Sequence, residues 1–514
     1  MKFLYPVVSL LLFCVSAFSQ APSVVWSRAY GGPFTDSVYN LFPMENGGLL
    51  MCATSSSIAG DVIGNHGNFD AWIVKTNPNG SIAWQRSYGG TQNEGGYSLA
   101  PTPDGGFFMG GAARSTDGDV TDGNNGLGDV WVFKADAAGN IVWQKTLGGT
   151  QAEYALDIVA LPDGGAIAMG PTSSTNMDVT GNHGDQDYWL IRFSATGTVL
   201  WKKTFGGSFT DTPNRMLLLP SNEIVICGVT SSNNGDVSGN HGSFDGWVIK
   251  VDLDGNMIWQ HCYGGPSGDN LYDIKATQDG NLILCGFSQS SGGDIPSNMG
   301  SSDTWILKID TSGTILWQKH YAGTGWDQAH VILPTADAGY LVGFASSSSD
   351  GDFPEYYGGN GPDVWLAKLD ASGEMVWTTR YAGSDEDYPD ALVQFPDGSY
   401  ALGCSVTSGN GHFATSHGQY EAFVVRLTAE NLGLEENTSA KLKLFPNPAV
   451  DHITIENTSG FETQATIVDL KGNIVKSINL NQSGHDVRSL ASGIYFVSLA
   501  SKSGNPTFLR FVKK

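Results

Sequence analysis

Tryptophan returns along this 514-residue chain with a period that few folds allow. It stands at 26, 84, 143, 201, 259, 317 and 377, at spacings of 58 to 60 residues. A second series runs 72, 131, 189, 247, 305 and 365, with Phe423 in the seventh place, so 13 of the 14 Trp belong to two periodic series. Self-similarity of this kind marks one supersecondary unit copied many times, each copy burying its faces against its neighbours.

Every copy reads as four short strands. Turns at "TPDGG" (102–106), "LPDGG" (161–165) and "FPDGS" (395–399) separate apolar runs, and Asp-Gly suits a hairpin because Gly accepts positive φ without steric cost. Next comes "DAWIVK" (70–75), with Trp72 and Val74 on one face and Ile73 and Lys75 on the other. A further turn leads into "SIAWQRSYGG" (81–90), again alternating. Four antiparallel strands per 58 residues point to propeller blades, since solenoid repeats are usually shorter. The chain enters with only the Trp-bearing fourth strand, "SVVWSRAYGG", and the repeats end after the first three, in "EAFVVRL" (421–427). One strand from the front and three from the back complete a seventh sheet and remove the open edge. The expected fold is all-β: a seven-bladed β-propeller of four-stranded antiparallel blades, followed by a small C-terminal β-sandwich.

The Trp-bearing strand resembles the repeat of quinoprotein-like propellers, with an Asp, a turn Gly and a Trp four residues later. Here the pattern is "DAAGNIVW" (136–143), "DLDGNMIW" (252–259), "DTSGTILW" (310–317) and "DASGEMVW" (370–377). The resemblance implies that this Trp docks one blade on the next. It stops short of quinone binding, because the chain has seven repeats and no Cys-Cys pair. Of its six Cys, four (52, 227, 285 and 404) occupy the same strand of different copies, too far apart to be bridged, and no disulfide framework is expected.

Two Asp recur in the loop before the third strand, at 61/70, 119/129, 178/187, 236/245, 294/303 and 352/363. His joins them in "GNHGNFDAW", "GNHGDQDYW" and "GNHGSFDGW", and "SHG" at His417 echoes it. A catalytic or zinc His is needed once in a convergent cluster, not once per blade. The favoured reading is structural, with Asp capping its loop through backbone N–H groups. Calcium is the alternative, held through carboxylate and backbone oxygens. No catalytic, cofactor-binding or metal-ligating residue is assigned, because no nucleophile elbow, P-loop or zincin helix is present. Trp326, which falls outside both series, and Tyr356 and Tyr357 in the insertion of copy six are candidates for stacking on a ligand.

The first 20 residues, "MKFLYPVVSLLLFCVSAFSQ", have one Lys, an apolar run and small residues before a cut after Ser19, the pattern of a secretory signal peptide. Net charge is −24, and it is unevenly divided. Residues 441–514 hold nine Lys or Arg against five Asp or Glu, whereas the body is strongly acidic and repels phosphate backbones, which excludes nucleic acid as a partner. The expected domains are a signal peptide at 1–20, the propeller at 21–428, a polar linker at 429–440 and a sandwich at 441–514.

That last segment resembles the type A C-terminal sorting domain of the type IX secretion system of Bacteroidota. The matching residues are Phe445-Pro446-Asn447-Pro448, "DLKGNIV" with Gly472, "SLASGIYFVSL" with Gly493 and Tyr495, and a terminal Lys-Lys. The resemblance implies recognition by the type IX machinery at the outer membrane, reached through the periplasm, then release or attachment to surface lipopolysaccharide. The expected product is a secreted or surface-exposed propeller that binds a glycan or protein. The alternatives are a secreted carbohydrate-active enzyme with a carboxylate pair in the funnel, and a structural surface component.

Overall fold

The computed structural model describes residues 21–353, 361–413, 420–430, 443–456, 461–469, 473–482, 484–501 and 507–514. The contact network breaks after Glu430. Within Gln20–Glu430 there are seven four-stranded antiparallel sheets, whose strands we label a to d in the order they pair. Blade 1 has Asp36–Pro43, Leu49–Ser55, Asp70–Thr76 and Ile82–Tyr88 as its strands a to d. The a strands of blades 2 to 6 start at Glu94, Asp157, Asp211, Asp269 and Asp327. Blade 7 combines Asp387–Gln394, Tyr400–Val406 and Glu421–Leu427 with Val24–Tyr30, the first strand of the chain. In that last pairing Trp26 lies opposite Arg426 and Tyr30 opposite Ala422. The ring therefore closes as the sequence predicts.

Alternation in strand c does more than separate inside from outside. Trp72, Ile73 and Val74 are all fully buried. Trp72 and Val74 pack with Ala401 and Val424 of blade 7, whereas Ala71 and Ile73 pack with Leu99 and Met109 of blade 2. Each blade thus gives one face to each of two inter-blade cores, which is why the middle of strand c is apolar on both faces between a leading acid and a trailing Lys or Arg.

The two Trp series play different parts. Those of strand c are the most buried side chains in the molecule, and Trp72, Trp131, Trp247 and Trp305 donate Nε1 to Gln85, Gln144, Gln260 and Gln318 of strand d at 2.7–3.0 Å. Trp365 meets Thr378 in place of that Gln and has no such acceptor. The strand d series docks on the next blade: Trp26, Trp143, Trp201 and Trp259 donate Nε1 to the carbonyls of Pro78, Ala195, Leu253 and Thr311 in its c–d turn, at 2.9–3.2 Å. Tyr30 and Tyr88 reach the same turns, at the carbonyls of Gly80 and Gly139. The turn glycine has φ near +80°, and a Cβ on Gly139 would lie 2.2 Å from the Trp84 ring. Because strand d is the outermost strand, these docking Trp are half-buried, so they release less apolar surface than full burial would. Blade 7 has no c–d turn of its own, since its strand d comes from the N-terminus. Trp377 of blade 6 accordingly has no acceptor for Nε1 among the described residues.

All five Cys of the propeller are buried free thiols. The C-terminal unit has two sheets, one of Lys443–Phe445, His452–Glu456 and His485–Asp486, the other ordered Ile474–Asn479, Phe461–Val468, Gly493–Ser501, Thr507–Lys513. Ile453, Ile467, Val497 and Phe511 are completely buried in a shared core.

Candidate functional site

The recurrent His-Asp pair is a loop clasp. Asp70 Oδ2 accepts the His66 backbone N–H at 2.9 Å and contacts its ring Nδ1 at 2.8 Å; His183–Asp187 and His241–Asp245 repeat this. Where His is replaced, the Asn125 and Met299 backbone N–H groups still reach Asp129 and Asp303. The backbone bond is the constant feature and the ring an addition to it. Asn65 adds a second tie, donating to the Ser55 carbonyl of strand b.

The two Asp of one loop do not converge. The first caps the preceding blade: Gly206 N–H reaches Asp236 at 3.2 Å and Ala322 N–H reaches Asp352 at 2.9 Å. The second faces the following blade, and its Oδ1 is left without a partner in Asp70, Asp129, Asp187 and Asp245. Near Asp187 Oδ1 lies Asp211 Oδ2; both are within 3 Å of the point where a Cβ on Gly206 would stand. Burial, and to a lesser extent the neighbouring carboxylates, push Asp129 and Asp187 up to about 6. Among the described residues no group of three or more His, Cys, Asp or Glu is arranged to hold a metal ion. His417, Tyr356 and Tyr357 lie outside the described residues.

A different set of residues meets on the propeller axis. In six blades strand a carries a β-bulge at its fourth residue, where the register against strand b slips: Tyr39, Tyr97, Asn214, Tyr272, His330 and Asp390. A bulge re-aims a side chain away from the regular pleat. With Leu156 at the equivalent point of blade 3, these residues line one axial cup of about 170 Å3. Seven equivalent backbone positions thus present five kinds of side chain, Tyr three times and Leu, Asn, His and Asp once each. None was singled out from the sequence, although superposing the repeats on the acid that follows each Gly-Gly or Ala-Gly pair and counting three residues on would have gathered them.

Four of the lining rings, Tyr39, Tyr97, Tyr272 and His330, belong to two aromatic arcs that continue beyond the cup. Tyr39–Tyr97 (5.2 Å between centroids) continues to Tyr97–Tyr154 (6.0 Å) across blades 1 to 3. Opposite them, Tyr272–His330 (5.1 Å) continues to His330–Tyr388 (5.7 Å) across blades 5 to 7, and Trp326 stands edge-on to Tyr388 at 6.3 Å. Trp326, the non-periodic Trp, therefore borders the cup. Burial holds His330 at about 4, neutral at physiological pH. It also lifts Asp390 to about 7, against Ser405 hydrogen bonds and the Arg215 charge, and Asp390 Oδ2 has no partner. Arg215 lines this cup and a 540 Å3 channel beyond it; among the described residues its side chain makes one hydrogen bond, a long 3.4 Å contact from Nη2 to the Tyr39 carbonyl.

The other channel carboxylates are occupied. Asp157 accepts from Ser98 Oγ at 2.7 Å and Met216 N–H at 2.9 Å, joining blades 2, 3 and 4. Asp273 accepts from Ile332 N–H of blade 6 at 3.0 Å and pairs with Lys275.

In the C-terminal unit, Pro446, Asn447 and Pro448 are exposed. Asn447 bridges the last strand, donating Nδ2 to the Arg510 carbonyl at 3.1 Å and accepting from Val512 N–H at 2.9 Å. Tyr495 stacks on Phe511 at 5.7 Å and donates its hydroxyl to the Ala491 carbonyl, and Gly493 opens the same strand. Gly472 lies outside the described residues.

The molecule is thus a closed seven-bladed β-propeller with a chemically varied axial cup. Residues 443–514 match the family described as the secretion system C-terminal sorting domain, so the chain carries the tail that marks proteins exported by type IX secretion to the cell surface or beyond it. It is 23% identical over 442 residues to the regulatory protein FlaEY of Caulobacter vibrioides, a match covering 78% of this chain and 44% of that one. It is also 23% identical over 151 residues to an endo-acting ulvan lyase of Formosa agariphila, with 28% of each chain covered. The chain therefore spans less than half the length of either curated relative. Among solved structures it is similar to PorZ, a surface component of the type IX secretion system of Porphyromonas gingivalis, at 12% identity and a TM-score of 0.42, covering 95% of this chain and 60% of that one.

Proposed function

We propose that this is an exported binding propeller that engages a glycan or protein at the b–c loop end of its axis, where the cup opens. The observation that supports this most is the divergence at the bulge: a repeated scaffold, near-identical in its turns and docking residues, carries a different side chain in most blades at the one position that converges. Repeats maintained for packing alone have no reason to diverge there. The sorting domain would deliver the propeller outside the cell. The alternative of a carbohydrate-active enzyme draws on Asp390, the one channel carboxylate with an unpartnered oxygen, but glycoside hydrolysis needs a second free carboxyl group, and Asp157 and Asp273 are engaged. Binding and turnover assays against one set of glycans decide between these readings. Turnover that disappears in Asp390→Asn would replace the binding reading with the enzymatic one. A third outcome, self-association without any ligand, would mark a structural surface component.

A further inference from the structure

We propose that the axial cup takes one sugar ring, the terminal residue of an uncharged glycan, seated end-on. This rests on the binding reading above and names its ligand. Three features of the cup select that chemistry.

The first is the placement of apolar faces. Tyr39 and Tyr97 line the cup from blades 1 and 2, and Tyr272 and His330 from blades 5 and 6, so aromatic rings stand on opposite sides of the axis. A pyranose has two faces of C–H groups, and these fit against aromatic faces, whose quadrupole is negative. Tyr supplies that surface with only two side-chain torsions to immobilise.

The second is what lies between the arcs. Blade 4 brings Asn214 to one side, Asp390 of blade 7 stands near the seam with blade 1, and the Arg215 guanidinium reaches across the axis to the Tyr39 carbonyl of blade 1. Asn214 gives its amide to Asn270 and the Leu271 carbonyl, which leaves its oxygen as an acceptor. Arg215 keeps most of its donors unengaged, and Asp390 offers a buried oxygen without a partner. Ring hydroxyls both donate and accept, and they match a site that has both kinds of group. Arg215 and Asp390 lie together at the cup, so neither an anion nor a cation finds a wall of one opposite charge there. A neutral polyol needs no such wall.

The third is size. About 170 Å3 is below the range of about 300–1,000 Å3 that holds a drug-sized molecule, and the cup closes around the axis on all seven blades. A glycan in mid-chain would have to leave on two sides, so only a chain end enters.

The test is calorimetric titration of the full exported chain with neutral oligosaccharides (cello-, xylo- and manno-series) and with oligogalacturonate as the charged control. At least one neutral series should bind, and its reduced-end and non-reducing-end derivatives should differ, because only one terminus fits. Tyr97→Ala and Tyr272→Ala should weaken binding tenfold or more, and Asp390→Asn, which keeps the shape, should do so without lowering the melting temperature. Quenching of Trp326 fluorescence by the same sugars gives a second readout. Ile63→Ser and Leu127→Ser, at exposed apolar points of the b–c loops, should leave affinity unchanged. The proposal is overturned if no neutral series binds at millimolar concentration, if only the charged oligomer binds, or if the loop variants abolish binding while the cup variants do not. The last result would relocate the site to the apolar loop face and a protein partner, leaving the binding reading intact. Turnover would remove that reading as well.

Discussion

Ser23 and Thr428, 405 residues apart, hold each other by two hydrogen bonds: Thr428 N–H donates to the Ser23 carbonyl at 2.9 Å, and Ser23 N–H donates to Thr428 Oγ1 at 3.0 Å. They mark the point where the N-terminal strand is zipped into the last blade. Removing residues 21–31 exposes the edge of Glu421–Leu427 and opens the Tyr30–Val424 core at the seam between blades 7 and 1. We expect the propeller to lose its cooperative unfolding transition, measured by calorimetry, and a synthetic 21–31 peptide added in trans to restore part of it. Truncation without loss of melting temperature would contradict closure.

Docking through strand d predicts a ranked pair of substitutions. Trp201→Ala removes ring packing against the c–d turn of blade 4 and the bond to the Leu253 carbonyl. Since Trp201 is half-buried, the cost is about 2–3 kcal/mol, below the ~3–5 kcal/mol of a core Trp. Trp377 has no Nε1 acceptor among the described residues, and Trp377→Ala should cost about 1 kcal/mol less. Chemical denaturation of both variants measures the difference.

The turn glycines separate backbone from packing. Gly139 and Gly280 both sit near φ +80°, but a Cβ on Gly280 meets open space whereas one on Gly139 strikes Trp84. Gly280→Ala should cost about 1–2 kcal/mol, the left-handed penalty alone. Gly139→Ala should cost clearly more, and equal losses would argue against docking at this turn.

Stability should fall as the pH rises from about 6.5 to 8. Burial raises Asp129 and Asp187 to about 6 and Asp387 to about 7, from an ordinary 3.8. In that window the folded chain binds more protons than the unfolded one, so the contribution is complete below about pH 4 and is lost as pH climbs through 6 and 7. Exposed, hydrogen-bonded acids such as Asp136 and Asp252 are shifted downward and act oppositely, but only below about pH 4. Buried His320 and His330, held down to about 4 from 6.5, oppose this until about pH 6.5, so melting temperature should decline most clearly above that, with a shallower slope in Asp187→Asn.

The export address is separable from the propeller. Residues 430–514 fused to a neutral reporter should carry it out of a type IX-competent host. Asn447→Ala, which loses both bonds to the last strand, should reduce the exported fraction, measured by immunoblotting of medium and cells.

The sequence by itself determined the repeat, the number of blades, the origin of the closing strand, the docking role of the strand d Trp and the sorting tail. The repeat and the docking Trp are written in residues whose partners lie within one repeat or one repeat further on, the closing strand in the incomplete repeats at the two ends, and the tail in its own motifs, so spacing and motif alone expose them. The tertiary structure decided what the repeat leaves at its centre. Tyr39, Asn214, His330 and Asp390 share no residue type and no motif, and the bulge that turns them inward leaves no mark in the sequence. They become neighbours only when seven blades close around an axis, because closure is the one operation that brings positions about 58 residues apart to a common point. The same operation set the two strand d Trp at 201 and 377 apart: the ring supplies a turn for one to dock on, and the strand borrowed from the N-terminus leaves none for the other.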